Sequence, residues 1–276
     1  MNRNSADNSL QMQDVLSNYL FNLLTTDKDV SEPFCRLIIR ELLNREVGKV
    51  NILAERIELP GNPKKRGERL DVEVMEYNEN GENVATIYDI EPHKDSEKFY
   101  PQKNRYTQSM IDRNHLNSGE KNFGKLPDLY IICITNFDPF GYDRMVYTIK
   151  HQCIEEPELC YNDGVQILYF YTKGTKGGDE SLRSFLKYLE HSEEANVVDA
   201  ATREVEKYVE QVKERNKETM YTVGEWIDDI VNNGTKEKQK IIETQAEAIA
   251  KKDRVIAKKD KYIKELEAKL AQTNSE

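Results

Sequence analysis

The 276-residue chain has no apolar run approaching the roughly 18 residues that a membrane span needs, so no membrane partner is expected. Its first residues, MNRNSADNSLQ, lack the apolar core of a secretion signal, and a cytoplasmic location is the expectation. Cysteine is scarce. Cys35, Cys133, Cys153 and Cys160 form no C-x-x-C pair and no zinc spacing, which favours reduced packing cysteines over a disulfide framework or a zinc site. Tryptophan occurs once, at Trp226, and of four histidines His115, His151 and His191 stand apart with no metal spacing and read as incidental. Positive charge is in deficit: 40 Lys and Arg against 50 Asp and Glu give a formal charge of -10. That balance argues against indiscriminate coating of nucleic acid but leaves room for local basic patches, because the field at a site depends on where charges lie.

What is present centres on residues 66–93, RGERLDVEVMEYNENGENVATIYDIEPH. At the two-residue period of a strand, Arg69, Asp71 and Glu73 share one face, and Leu70, Val72 and Val74 the other. In the second half Ile87, Asp89, Glu91 and His93 share a face opposite Tyr88 and Ile90. Asn80-Gly81 between them is the strongest hairpin signal in the chain. Parity decides what the hairpin does. A two-residue loop at Asn80-Gly81 sets Asp71 and Glu91 on different faces, whereas an odd loop with Gly81 left-handed, or a bulge of the same effect, makes them neighbours. The odd loop or bulge is the expectation. Parity also assigns Lys94 to the face away from His93.

Around this hairpin the chain reads as a scaffold. Residues 1–12 are polar and predicted loose. Helices are predicted over 15–24 and from Ser31 to Arg45, with Ser31 as cap and Pro33 in the first turn. Glu41 sits among the apolar positions of the second helix; it is either a solvated residue or a fourth group facing the hairpin acids. A strand is predicted from Val50 to Leu59, followed by a basic loop in which Lys64, Lys65, Arg66 and Arg69 gather ahead of Asp71, either solvated or set to meet phosphate. A helix through Tyr106, Met110 and Ile111 carries Lys103 and Arg105 on its exposed side. DLYIICITNF from Asp128 lacks alternation, as a strand covered on both faces does. Strands at MVYTIKH and QILYFYT follow, then helices from Asp179 and over about 196–231.

The predicted organisation is a loose 1–12, a domain over 13–192, a helical region over 193–234 and a tail over 235–276. In the tail Ile242, Ile249, Ile256, Ile263 and Leu270 recur every seven residues, as in a coiled coil. The companion row of Gln245, Lys252 and Lys259 is polar, so either a weakly self-associating helix, with a homo-oligomer as the result, or a single solvated helix fits.

Two carboxylates held on adjacent strands suit a hard divalent cation, which takes oxygen ligands and in the case of magnesium keeps several waters. A cation so held polarises a phosphodiester and activates a bound water. His93, on the same face, lies within reach of that water.

The order helix, strand, RLDV, Asn-Gly turn, DIEPH, NRYTQSMID, LPDLYIICITNFDPFG resembles the PD-(D/E)XK nuclease family transposases, the recombination-promoting nuclease group, over roughly residues 31–190. The resemblance implies a restriction-endonuclease-like α/β fold, a mixed central sheet flanked by helices, here with a C-terminal helical extension, and magnesium-dependent DNA cleavage linked to recombination. It assigns Asp71 and Glu91 as metal ligands and matches Arg105 and Tyr106 to a helix motif. Two positions after Glu91 that superfamily usually carries lysine, and this group glutamine; His93 departs from both. The alternative is a catalytically degenerate member that binds DNA or protein and oligomerises through its tail.

Overall fold

The register of one hairpin organises the architecture. Strand β2 (Glu68–Tyr77) pairs antiparallel with β3 (Val84–His93), matching Val72 with Ile90 and Glu76 with Thr86, but Tyr77 with Val84. The slip leaves Ala85 as an extra residue on β3, a β-bulge, while Gly81 takes φ +70 in the turn that Asn78 closes on Asn83. The bulge is the expected device: beyond it every odd-numbered residue of both strands falls on one face. The chain is described here by a computed structural model covering residues 13–58, 68–94, 99–116 and 119–216.

The hairpin forms part of a six-stranded mixed sheet in the order β1-β2-β3-β4-β6-β5. β1 (Val50–Glu58) runs antiparallel to β2, and β4 (Asp128–Thr135) runs parallel to β3 after a crossover through helix α3 (Tyr100–His115). β6 (Val165–Tyr171) is parallel to β4, and the short β5 (Val146–Ile149) closes the edge antiparallel to it. β4 is buried on both faces from Ile131 onward, as its unbroken apolar run predicts.

Alternation along the strands gives two different faces. On one, Met75, Ile87, Leu129, Ile131, Cys133 and Tyr169 pack with Tyr100 and Ile111 of α3. On the other, Val72, Val74, Tyr88, Ile90, Ile132 and Phe170 are fully buried. Helices α1 (Asn18–Thr26), α2 (Ser31–Leu43), α4 (Glu180–Glu190) and α5 (Ala200–Arg215) pack on one another, and Arg45, just past α2, lies over the stacked rings of Tyr88 and Tyr130. The mixed α/β sheet flanked by helices is therefore present.

Three boundaries differ from expectation. Ser31 lies inside α2 rather than capping it; the helix has no side-chain cap, and the turn leading into it is closed by the Asp27 carboxylate, which accepts from the Asp29 and Val30 N–H groups at 2.9 and 3.2 Å. α2 stops before Arg45 because Asn44 turns left-handed at φ 49. α5, expected in a separate helical region, belongs to the unit that runs to Lys217 and buries Val205, Val209 and Val212 there. Residues 1–12, the basic loop with Lys64, Lys65 and Arg66, and the heptad tail lie outside the described residues.

Candidate functional site

The register Val72↔Ile90 and Glu73↔Asp89 sets Asp71 opposite Glu91 at the next step along the strands. Four carboxylates thus stand on one sheet face in two rungs, Asp71 with Glu91 outside and Glu73 with Asp89 inside. β3 delivers Glu91 and Asp89, β2 delivers Asp71 and Glu73, and α3 crosses above. Asp71 is half-buried and lines a cleft of about 520 Å³ with His93, Lys94, Tyr100 and Lys103, closed on one side by Ser17 and Tyr19 near the start of α1. Glu91 is 2% exposed and Asp89 is fully buried.

Lys103 contacts Glu91 directly, its Nζ lying 2.5 Å from Oε2. Its neighbour Asn104 explains why it is held there. The buried Asn104 donates from Nδ2 to the Tyr169 hydroxyl at 2.9 Å and toward Cys133 Sγ at 3.4 Å, which fixes the first turns of α3 on β4 and β6. One helical position away, about 100° around the axis, Lys103 faces the strand ends instead. Tyr100 anchors the helix start by stacking on Phe137 at 5.5 Å, and the His93 ring rests against it at 4.8 Å.

His93 places Nε2 3.5 Å from Glu91 Oε2, a contact that is long for a hydrogen bond. Burial, with Lys103 adding to it, pushes its imidazole down to about 3 from the ordinary 6.5. The ring is neutral at physiological pH and a feeble proton acceptor. Asp89 shows the opposite pressure. Burial first, then the charges of Glu91 and Glu73, hold its pKa well above the ordinary aspartate value, while Lys103 pulls it down. Neither Asp89 oxygen has a hydrogen-bond partner among the described residues.

The residues singled out from sequence separate into groups. Asp71, His93 and Lys103 line the cleft, and the buried Glu91 meets Lys103 and His93 beside it. Glu41 does not join them: it lies one turn before Arg45, which covers the opposite sheet face, and its carboxylate accepts from Arg40 at 2.9 Å. Arg40 in turn reaches Glu204 of α5, so Glu41 belongs to a helix-to-helix ion network. Arg105 is exposed on α3, and Arg69 falls on β2 two positions before Asp71. Lys94 lines the same cleft as His93, because β3 ends at His93 and strand parity does not carry past that end.

Two acids and a histidine were missed as participants. Glu73 and Asp89 carry the parity signal of Asp71 and Glu91 in the sequence itself. His115, read as incidental, places Nε2 3.5 Å from Glu73 Oε1 at the far end of α3, a meeting across 42 residues that no spacing announces.

Among the described residues no group of three or more His, Cys, Asp and Glu is gathered so that it could hold a metal ion. The facing pair Asp71 and Glu91 nevertheless suits magnesium, because that ion fills most of its shell with water and is commonly bound through one or two carboxylates. The cleft lined by Asp71 opens beside the pair, and Asp89 lies fully buried behind it, where burial and the neighbouring acids disfavour its charged form. No protein-family model, curated protein or solved structure matches the chain.

Proposed function

We propose that the chain is a magnesium-dependent DNA endonuclease of transposase type, with Asp71 and Glu91 as the cation-holding pair. The observation that carries this reading is the register that sets these two acids side by side on one sheet face, with Asp71, Lys103 and His93 lining a cleft there and Glu91 buried against Lys103. The topology supports it too: an antiparallel β1-β2-β3 meander, a crossover helix and a parallel β4 give the mixed central sheet flanked by helices that this reading calls for.

A bound divalent cation there supplies charge neutralisation at a phosphodiester and a water of lowered pKa. Asp71 and Glu91 hold position and orientation on paired strands, and Asp71 lines the cleft. Hydrolysis adds the water oxygen to phosphorus and breaks one P–O ester bond, the departing alkoxide taking a proton. His93 stands beside Glu91 on the same sheet face, within reach of a water held at the pair. Arg105 on the exposed side of α3 and the basic residues around 64–69 provide backbone contacts, and the acidic balance of the whole chain makes such local patches necessary for DNA to approach.

Purified protein is expected to nick supercoiled plasmid with magnesium, and Asp71→Ala and Glu91→Ala to cut at least about 10²-fold more slowly. Cleavage unaffected by both substitutions overturns the assignment.

A second reading, a degenerate nuclease fold that binds DNA or protein, is favoured by one observation: Glu91 is buried and already neutralised by Lys103. It predicts no heat of cation binding in calorimetry and no cleavage with manganese, from a chain that unfolds cooperatively.

A further inference from the structure

We infer that Lys103 supplies the fixed positive charge of this site and exchanges partners during the reaction, from the Glu91 carboxylate to a phosphate oxygen of the substrate. The inference rests on the nuclease reading and moves Lys103 from a general DNA grip to the reacting centre.

Three observations converge on it. Position 93, two residues after Glu91 and on its face, is a histidine, which carries no fixed charge at neutral pH. Lys103 comes from a different element and delivers an ammonium to the same carboxylate, at 2.5 Å from Oε2. It also lines the cleft that Asp71 lines, so its head reaches both the acid and the space a phosphate would enter. Its side chain is 26% exposed against 3% for Glu91, so the ammonium is open to the cleft on a side where the carboxylate is covered.

The side chain suits the task. An ammonium on a four-carbon stem is a compact point charge that reorients easily, unlike a guanidinium fork locked into one geometry. Asn104, bonded to Tyr169 and Cys133, keeps the backbone under it fixed, so only the stem needs to move.

The consequence is a distinctive pairing of effects. Lys103 competes with a divalent cation for Glu91 and repels it, so it weakens cation binding. In the transition state it stabilises charge gathering on the phosphoryl oxygens, so it speeds cleavage. A residue that merely props up the site would help both.

The test uses the full-length chain. Calorimetric titration with manganese alone, without DNA, reads cation affinity; nicking of supercoiled plasmid with magnesium reads the rate. Lys103→Met is expected to bind manganese at least about threefold more tightly, as loss of a nearby like charge predicts, yet to nick about 10²-fold more slowly. Lys103→Arg, which keeps the charge and guards against a folding defect, is expected to keep near wild-type affinity with an intermediate rate. His93→Lys added to Lys103→Met returns an ammonium to the same sheet face and is expected to recover cleavage by about tenfold. The inference is overturned if Lys103→Met leaves affinity and rate both within about twofold of wild type, or lowers the two together. Wild-type protein that binds manganese but nicks nothing overturns the nuclease reading instead, while the affinity measurement still decides the exchange at Glu91.

Discussion

Burying carboxylates on one sheet face sets up opposing titrations at individual residues. Asp89 has its folded pKa raised, so its contribution to stability is full below the ordinary aspartate value near 3.8 and is lost as pH rises through the folded value. His93 has its folded pKa depressed to about 3, so its contribution is present above 6.5 and is lost as pH falls toward 3. With a chelator present, Asp89→Asn is therefore expected to melt higher than wild type, by a margin larger at pH 8 than at pH 5; a margin that is flat or reversed contradicts the burial of an ionisable acid there. His93→Gln is expected to flatten the loss of thermal stability on acidification below pH 6.5, read from the same melts. At this scale the sequence was partly legible. The parity that singles out Asp71 and Glu91 holds equally for Glu73 and Asp89, but alternation says which face a side chain takes and not how deeply that face is covered. Glu41 failed for a related reason, since helical periodicity does not say which sheet face the helix lies on.

At the scale of elements, α3 does more than cross from β3 to β4. It covers the acid face, carries Lys103 to Glu91 at one end and brings His115 to Glu73 at the other. Its hold on the sheet runs through Asn104, whose amide satisfies the Tyr169 hydroxyl in a buried site. Asn104→Ala is expected to lower the urea midpoint by the equivalent of about 1–3 kcal/mol, the cost of leaving a buried polar group without its partner, with an unchanged m-value. Most elements could be read from period and punctuation: the β2-β3 hairpin from Asn-Gly, β4 from its unbroken apolar run, α2 from Pro33 and its apolar spacing. The bulge at Ala85 was foreseen only as one of two ways to align the acids, because a loop and a bulge change parity alike and only the strand pairing distinguishes them.

For the whole molecule, the buried apolar residues among the described ones run from Val15 to Val212, within the compact unit that ends at Lys217. A chain ending after Asn216 is expected to unfold cooperatively with the full chain's near-ultraviolet circular dichroism signature for its tyrosines, and any oligomer of the full chain that the heptads sustain is expected to be absent from it in sedimentation. A broad or non-cooperative transition would show that residues beyond α5 contribute to this core. The sequence by itself determined the mixed α/β class, the absence of a long apolar span, the acidic hairpin and the alternation of faces within each of its strands, because these follow from local period and chain chemistry. Only the tertiary structure decided that Lys103 meets Glu91, that His115 meets Glu73, that Glu41 turns away and that Asp89 is sealed from water. Those are contacts between elements distant along the chain, and which helix covers which face is settled by packing rather than by any local pattern.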